Sequence, residues 1–218
     1  MRVLSYAALA VCIASPAFAK TVTLTPASSI GFNGSVDESD LDNPNCMAVH
    51  DGPFLVTGAL EIGSMAVEYT IDDRRANVEF DIQGLKSIKK ATLKLHGEAV
   101  DAMEDSAGCI MSYNGDGVGT AGDYMPLDKS LFALFPLDGG LEREVVEADY
   151  AIDITSLLKT FMDGGRDFLG IQIAADEFVD TAIMLSGIRI DLTIPEPATL
   201  ALFGLGLLGI SARRRKRL

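Results

Sequence analysis

This 218-residue chain has no tryptophan, only two histidines and only three cysteines, and neither of its two apolar stretches reaches the roughly 20 residues that cross a bilayer untilted. Each scarcity closes a class of function. Without tryptophan the usual sugar-stacking platform is missing. His50 and His96 form no H-x-H or H-E-x-x-H spacing, so the zinc-hydrolase pattern is absent. There is no G-x-S-x-G elbow to carry a nucleophilic serine. Cations are scarce as well. Once Arg2 and the five basic residues of the tail are set aside, the body carries 12 Lys and Arg against 30 Asp and Glu, a net of −18. Repulsion from a phosphate backbone excludes nucleic acid as a partner.

The two ends carry addresses. Met1 and Arg2 make a charged start, Val3–Ala14 is apolar, and Ala17-Phe18-Ala19 is a small-x-small cleavage site before Lys20. Residues 1–19 therefore read as a Sec signal peptide, 20–194 as the 175-residue mature body, and 195–218 as a sorting or anchor segment. Export takes Cys12 away with the leader and delivers Cys46 and Cys109 to an oxidising compartment, where two thiols of a secreted domain are expected to form one disulfide. At the other end Pro195, Glu196 and Pro197 precede a 15-residue apolar run, Ala198–Ala212, expected to be helical. Arg213, Arg214, Arg215, Lys216 and Arg217 follow, a cluster that resists translocation.

The order Pro-Glu-Pro, short apolar helix, basic end closely resembles the PEP-CTERM sorting signal of Gram-negative bacteria. That resemblance implies processing by an exosortase-type enzyme, transient anchoring in the inner membrane after passage through the Sec translocon, and delivery to the cell surface or extracellular matrix. It also implies an association with exopolysaccharide, since such sorting commonly accompanies its production.

The body reads as strands. Met65, Val67, Tyr69 and Ile71 alternate with polar or small residues, as do Val78, Phe80 and Ile82, and Asp72-Asp73 separates these runs at hairpin distance. The same period recurs in Val22 and Leu24, in Ala91, Leu93 and Leu95, in Tyr150, Ile152 and Ile154, in Phe168–Ile173, and in Ile188–Ile194. Thr155-Ser156 before Leu157, Leu158 and Phe161, with Gly164-Gly165 after, predicts one short capped helix closing an end. Gly31–Pro53 and Val100–Gly140 lack hydrophobic periodicity and read as long loops. The fold class expected is all-β: an antiparallel β-sandwich (jelly roll) with one capping helix.

Two blocks are similar to a known type of module. Arg75–Leu95, RANVEFDIQGLKSIKKATLKL, and Asp149–Ala174, DYAIDITSLLKTFMDGGRDFLGIQIA, resemble the strand pair and the strand–helix–glycine–strand block of DNRLRE-type jelly rolls. That family includes carbohydrate-binding modules of polysaccharide-degrading bacteria, so the resemblance implies a binding module rather than an enzyme.

Few residues suggest chemistry. Ser112, Asn114, Asp116 and Asp123 occupy positions one, three, five and twelve of a calcium-loop spacing, with Gly117 at six. Calcium there is weighed against an ordinary Gly/Asp/Asn-rich loop; no other cofactor is suggested. Gly117-Val118-Gly119-Thr120-Ala121-Gly122 matches G-x-G-x-x-G without the crossover helix that nucleotide binding requires. Tyr113, Tyr124, Phe132 and Phe135 are read either as a ligand platform or as pins for the long loop. The carboxylates allow a glycosidase pair at roughly 5 to 9 Å, but the sequence singles out none. The reading is a secreted, non-catalytic surface or matrix protein, with a small extracellular carbohydrate-active enzyme, or the binding accessory of one, as the alternative.

Overall fold

Among the described residues, alternation along the chain resolves into eleven strands and one helix. The computed structural model describes residues 19–37, 54–67, 70–100, 106–124, 126, 128–137, 145–175 and 181–195. The strands are β1 (Ala19–Leu24), β2 (Ser28–Asp37), β3 (Phe54–Thr57), β4 (Glu61–Val67), β5 (Thr70–Asp81), β6 (Lys90–Val100), β7 (Ser106–Asn114) and β8 (Ser130–Leu137), then β9 (Val145–Asp153), β10 (Phe168–Ala175) and β11 (Thr181–Pro195). The helix α1 (Thr155–Asp163) lies between β9 and β10, and a 3-10 turn spans Ala121–Tyr124. Residues 21–194 are one of two units of the chain; of the other, 1–20 with 195–218, only Ala19, Lys20 and Pro195 are among the described residues. The rest of the leader, Glu196, Pro197, the apolar run and the basic cluster lie outside them, as do Cys46 and His50.

The strands pair antiparallel in one continuous sheet of order β8-β7-β10-β5-β4-β11-β6-β9; β2 also pairs with β5 and carries β3, and β1 pairs with β11. The sheet nearly closes on itself. Phe135 of β8 and Tyr150 of β9, from the two ends of the strand order, meet edge to face with ring centroids 4.9 Å apart. Inside, Val78 and Phe80 of β5, Ile110 of β7 and Ile171 of β10 share one buried cluster with Leu93 of β6 and Ile190 of β11. A fully buried side chain of this size contributes about 1.5–3 kcal/mol, so this cluster is what makes the curled sheet stable.

Three expectations are corrected. Asp72-Asp73 does not divide two strands: β5 runs through both, and its hairpin partner β4 ends at Val67, which pairs with Thr70. Mid-strand Asp73 is stable because Arg75, two residues on and on the same face, donates to its carboxylate at 2.7 Å. The two supposed long loops also contain strands: β2 enters the first, and β7 and β8 lie within the second. β7 shows no alternation because both its faces are buried, Ile110 on one and Cys109, Met111 and Tyr113 on the other. β2 is glycine-rich because it is crowded, since a Cβ at Gly31 would stand 1.9 Å from the Ala59 carbonyl oxygen. The third correction concerns the helix cap. Ile154, not Thr155 or Ser156, occupies the N-cap position, and its side chain makes no capping bond. Asp153 Oδ1 accepts the Thr155 N–H at 2.9 Å, while Thr155 Oγ1 accepts the Ala91 N–H at 2.9 Å and ties the helix start to β6. Leu157 and Leu158 are the buried face of α1, and Gly165, at φ +66°, follows its end as expected. No helix among the described residues is long and apolar enough to cross a membrane.

Candidate functional site

Alternate residues of β5 point away from the apolar core, yet they are buried as completely as those facing it. Asp73, Arg75, Asn77 and Glu79 line this outer face, the last three at 1% exposure. Period two predicts a wet polar face here; instead the segment after β7 lies across it. Three side chains link into one chain of hydrogen bonds: Arg75 donates to Gln172 Oε1 at 3.3 Å, and Gln172 Nε2 donates to Asn77 Oδ1 at 3.1 Å. Asn77 Nδ2 and Gln172 Nε2 both donate to the Asp123 carbonyl, docking the 3-10 turn onto the sheet. Glu79 Oε2 accepts the N–H groups of Gly117 at 2.6 Å and Asp116 at 3.2 Å. Gly117 takes φ +86° to offer that N–H, and its α-carbon packs on the Phe168 ring, where a Cβ would approach to 2.6 Å. The G-x-G-x-x-G likeness thus belongs to a loop pressed onto a sheet.

The row is electrically polarised. At one end Arg75 and Lys129 flank Asp73; burial, then the Arg75 charge, lowers the Lys129 ammonium to about 8, with Asp73 opposing. At the other end burial pushes the Glu79 carboxyl above the usual carboxylate range; the Gly117 N–H offsets part of this, and the negative charges of Asp123 and Asp116 add to it. Burial and then the Glu79 charge raise the Tyr113 phenol well above its ordinary value. The neutral Asn77–Gln172 amide pair separates the two ends.

The four residues of the calcium-loop spacing do different jobs. Ser112 is buried within β7, on the face opposite Tyr113. Asn114 Nδ2 donates to Asp128 Oδ2, Asp116 Oδ1 accepts the Val118 N–H at 2.9 Å, and Asp123 Oδ2 accepts from Thr120 N–H at 2.5 Å. Among the described residues no three His, Cys, Asp or Glu side chains converge to hold a metal ion. Of the aromatics, Tyr113 and Phe135 are buried and Phe132 packs against the core, so these three pin the segment to the sheet; the side chain of Tyr124 lies outside the described ones. His96 stands on β6 opposite Asp149 of β9, its Nδ1 2.9 Å from Asp149 Oδ1. Cys109 is fully buried with Met111 and Ala174. The sequence reading missed Asp73, Arg75, Asn77, Glu79 and Gln172. One signal was available: Gln172 interrupts the apolar run Phe168–Ala174 at the middle of a strand buried on both faces.

Residues 193–216 match the PEP-CTERM protein-sorting motif. The match begins inside β11, at Thr193, and ends within the basic cluster, at Lys216. The motif implies an exported protein sorted by exosortase to the bacterial cell envelope or surface. No curated protein matches the chain.

Proposed function

We propose that this is a non-catalytic surface or extracellular-matrix protein of a Gram-negative bacterium, exported through Sec, held briefly at the inner membrane by its tail, and released by exosortase. The sorting motif at 193–216 carries this reading. In it the β body is a jelly-roll-type binding module for exopolysaccharide, braced by a Cys46–Cys109 disulfide that the burial of Cys109 supports. The polar row has a structural use in this reading: its charged and amide groups hold the loop after β7 on the sheet.

Two experiments test it. Mass spectrometry of surface-released protein should find a C-terminus near Pro195, and Glu196→Ala should leave the body folded but retained in the inner membrane. Intact Leu218 in the released protein, or normal release of the variant, overturns exosortase sorting. A glycan array run beside a polysaccharide depolymerisation screen should give binding without cleavage. Depolymerisation would favour the alternative, a small carbohydrate-active enzyme.

A further inference from the structure

The charge of the body is unevenly placed. At the end where β11 leads into Pro195, three short segments meet: the β5–β6 turn, the start of β6, and α1 with the turn that follows it. The Lys89 N–H donates to the Thr193 carbonyl at 2.7 Å, and Lys90 stands opposite Thr193. The Ile82 N–H donates to the Asp167 carbonyl at 2.9 Å, and the Ile154 N–H to the Ala91 carbonyl at 3.0 Å. These bonds join the segments into one rim. Lys86, Lys89, Lys90, Lys159 and Arg166 are all exposed on it. Among the described residues none of the five holds a carboxylate at ion-pair distance, whereas Arg74, Arg75, Lys94 and Arg189 each do. The acids of these segments and of the strand ends beside them are Asp81, Asp153, Asp163 and Asp167. Five of the 12 cations of the body therefore stand here with only four of its 30 acids, and the whole of the −18 deficit falls elsewhere.

We propose that this rim is a membrane-contact surface, in which Lys86, Lys89, Lys90, Lys159 and Arg166 face a layer of anionic lipid headgroups while the tail is anchored. The inference rests on the reading of the tail as a transient membrane anchor, and it adds which side of the body meets the lipid. Chain reach brings the two together. From Ile194, the last residue of the body, to Ala198, the first of the apolar run, the chain takes four residue steps, which span about 14 Å at full extension. The headgroup layer is itself about 6 Å deep and the Debye length at physiological salt is about 8 Å, so a rim tethered that closely lies within the field of the surface. The sign of the charge then selects the orientation. Anionic lipid attracts basic side chains that come within a Debye length of it and repels the acidic remainder of the body. Because the tail already confines the body to the surface, this attraction has only to orient it, and no affinity from free solution is required. The acidic faces are thereby turned away from the membrane.

The test is amine-reactive labelling, read by mass spectrometry, of the chain purified from membranes with its tail intact. It is reconstituted on vesicles of phosphatidylcholine alone or with about one-third phosphatidylglycerol. On the anionic vesicles Lys86, Lys89, Lys90 and Lys159 should react about three-fold more slowly than on the neutral ones. Lys94, held by Asp191 at 2.9 Å, should react equally on both and serves as the reference. Raising the salt to about 0.5 M, where the Debye length is about 4 Å, should remove the difference. The double variant Lys86→Glu, Lys89→Glu changes two exposed turn residues, so it should melt with the wild type while Lys90 and Lys159 lose their protection. If the chain does not float with vesicles of either kind, the tail is no anchor and the surface falls with that reading. If it floats but the lysines react equally on both, or if protection survives in the double variant, the anchor stands and the contact surface is overturned.

Discussion

The two faces of β5 are buried to the same degree by different means. Ala76, Val78 and Phe80 face the apolar core at 0% exposure, and Arg75, Asn77 and Glu79 face outward at 1%. Inward burial is non-directional: it rewards any apolar surface of about the right size. Outward burial is directional, because each polar group removed from water must find its own partner. The core face therefore makes the strand stable, whereas the outer face specifies which loop lies over it and in what register. A defect on the inner face should loosen the whole body; one on the outer face should depend on which partner it leaves behind.

The largest effect should come from the inner face. Phe80→Ala opens a cavity shared by both halves of the sheet and should cost about 4 kcal/mol by chemical denaturation. A loss below about 1 kcal/mol would mean that the halves do not share one core. On the outer face, Arg75→Ala should cost about 3 kcal/mol, mostly because buried Asp73 loses the Arg75 guanidinium that donates to it. Combining Asp73→Leu with Arg75→Met should restore stability to within about 1 kcal/mol of wild type. No single neighbouring change repairs Phe80→Ala, and this difference in rescue separates the two kinds of burial. If the double variant is as unstable as Arg75→Ala, the pair contributes more than mutual charge compensation.

How much of this was legible in the sequence follows the same division. The inner face was readable: Val78, Phe80, Leu93, Ile190 and Leu192 follow a period of two and sit in the core. The short helix with its glycine stop was readable from spacing alone. The outer face was not, because a buried polar residue and a wet one look alike along a strand until something is placed on top. Asn77 and Glu79, which alternate with Val78 and Phe80, read as an ordinary polar face for that reason. β7 was lost for the opposite cause: with both faces covered, Cys109–Tyr113 has no alternation to detect. The sorting signal was legible because it is read as linear sequence, Pro195 through the basic cluster, with the match itself spanning 193–216, and requires no partner strand.

A smaller effect isolates the loop from the sheet. Asn77→Ala removes one donor to the Asp123 carbonyl and leaves the other, from Gln172 at 3.3 Å. The expected cost is about 1 kcal/mol, and the consequence should be local: faster amide hydrogen exchange at Gly117 and Thr120, with the β6 and β11 amides unchanged. Uniform acceleration across both halves would show that the loop and the core open together.

The smallest effect tests the polarity of the row through Lys129. Burial and Arg75 hold its ammonium at about 8 in the folded protein against 10.5 for an ordinary lysine. Between those values the unfolded chain binds more protons than the folded one, so the contribution of Lys129 to stability rises with pH across that window and is constant below it. Lys129→Met removes the group and should be at least as stable as wild type at pH 7, because a charged ammonium no longer has to be desolvated beside Arg75. The advantage should shrink as pH is raised from 8 toward 10, and taking the difference between the two proteins cancels all other titrations. Urea unfolding at pH 7 and 9.5 measures it, with partial exposure of Lys129 reducing the size but not the sign. Parallel stabilities at both values would mean that Asp73 compensates Lys129 fully, and that the Arg75 end of the row is not the cationic pole opposite Glu79.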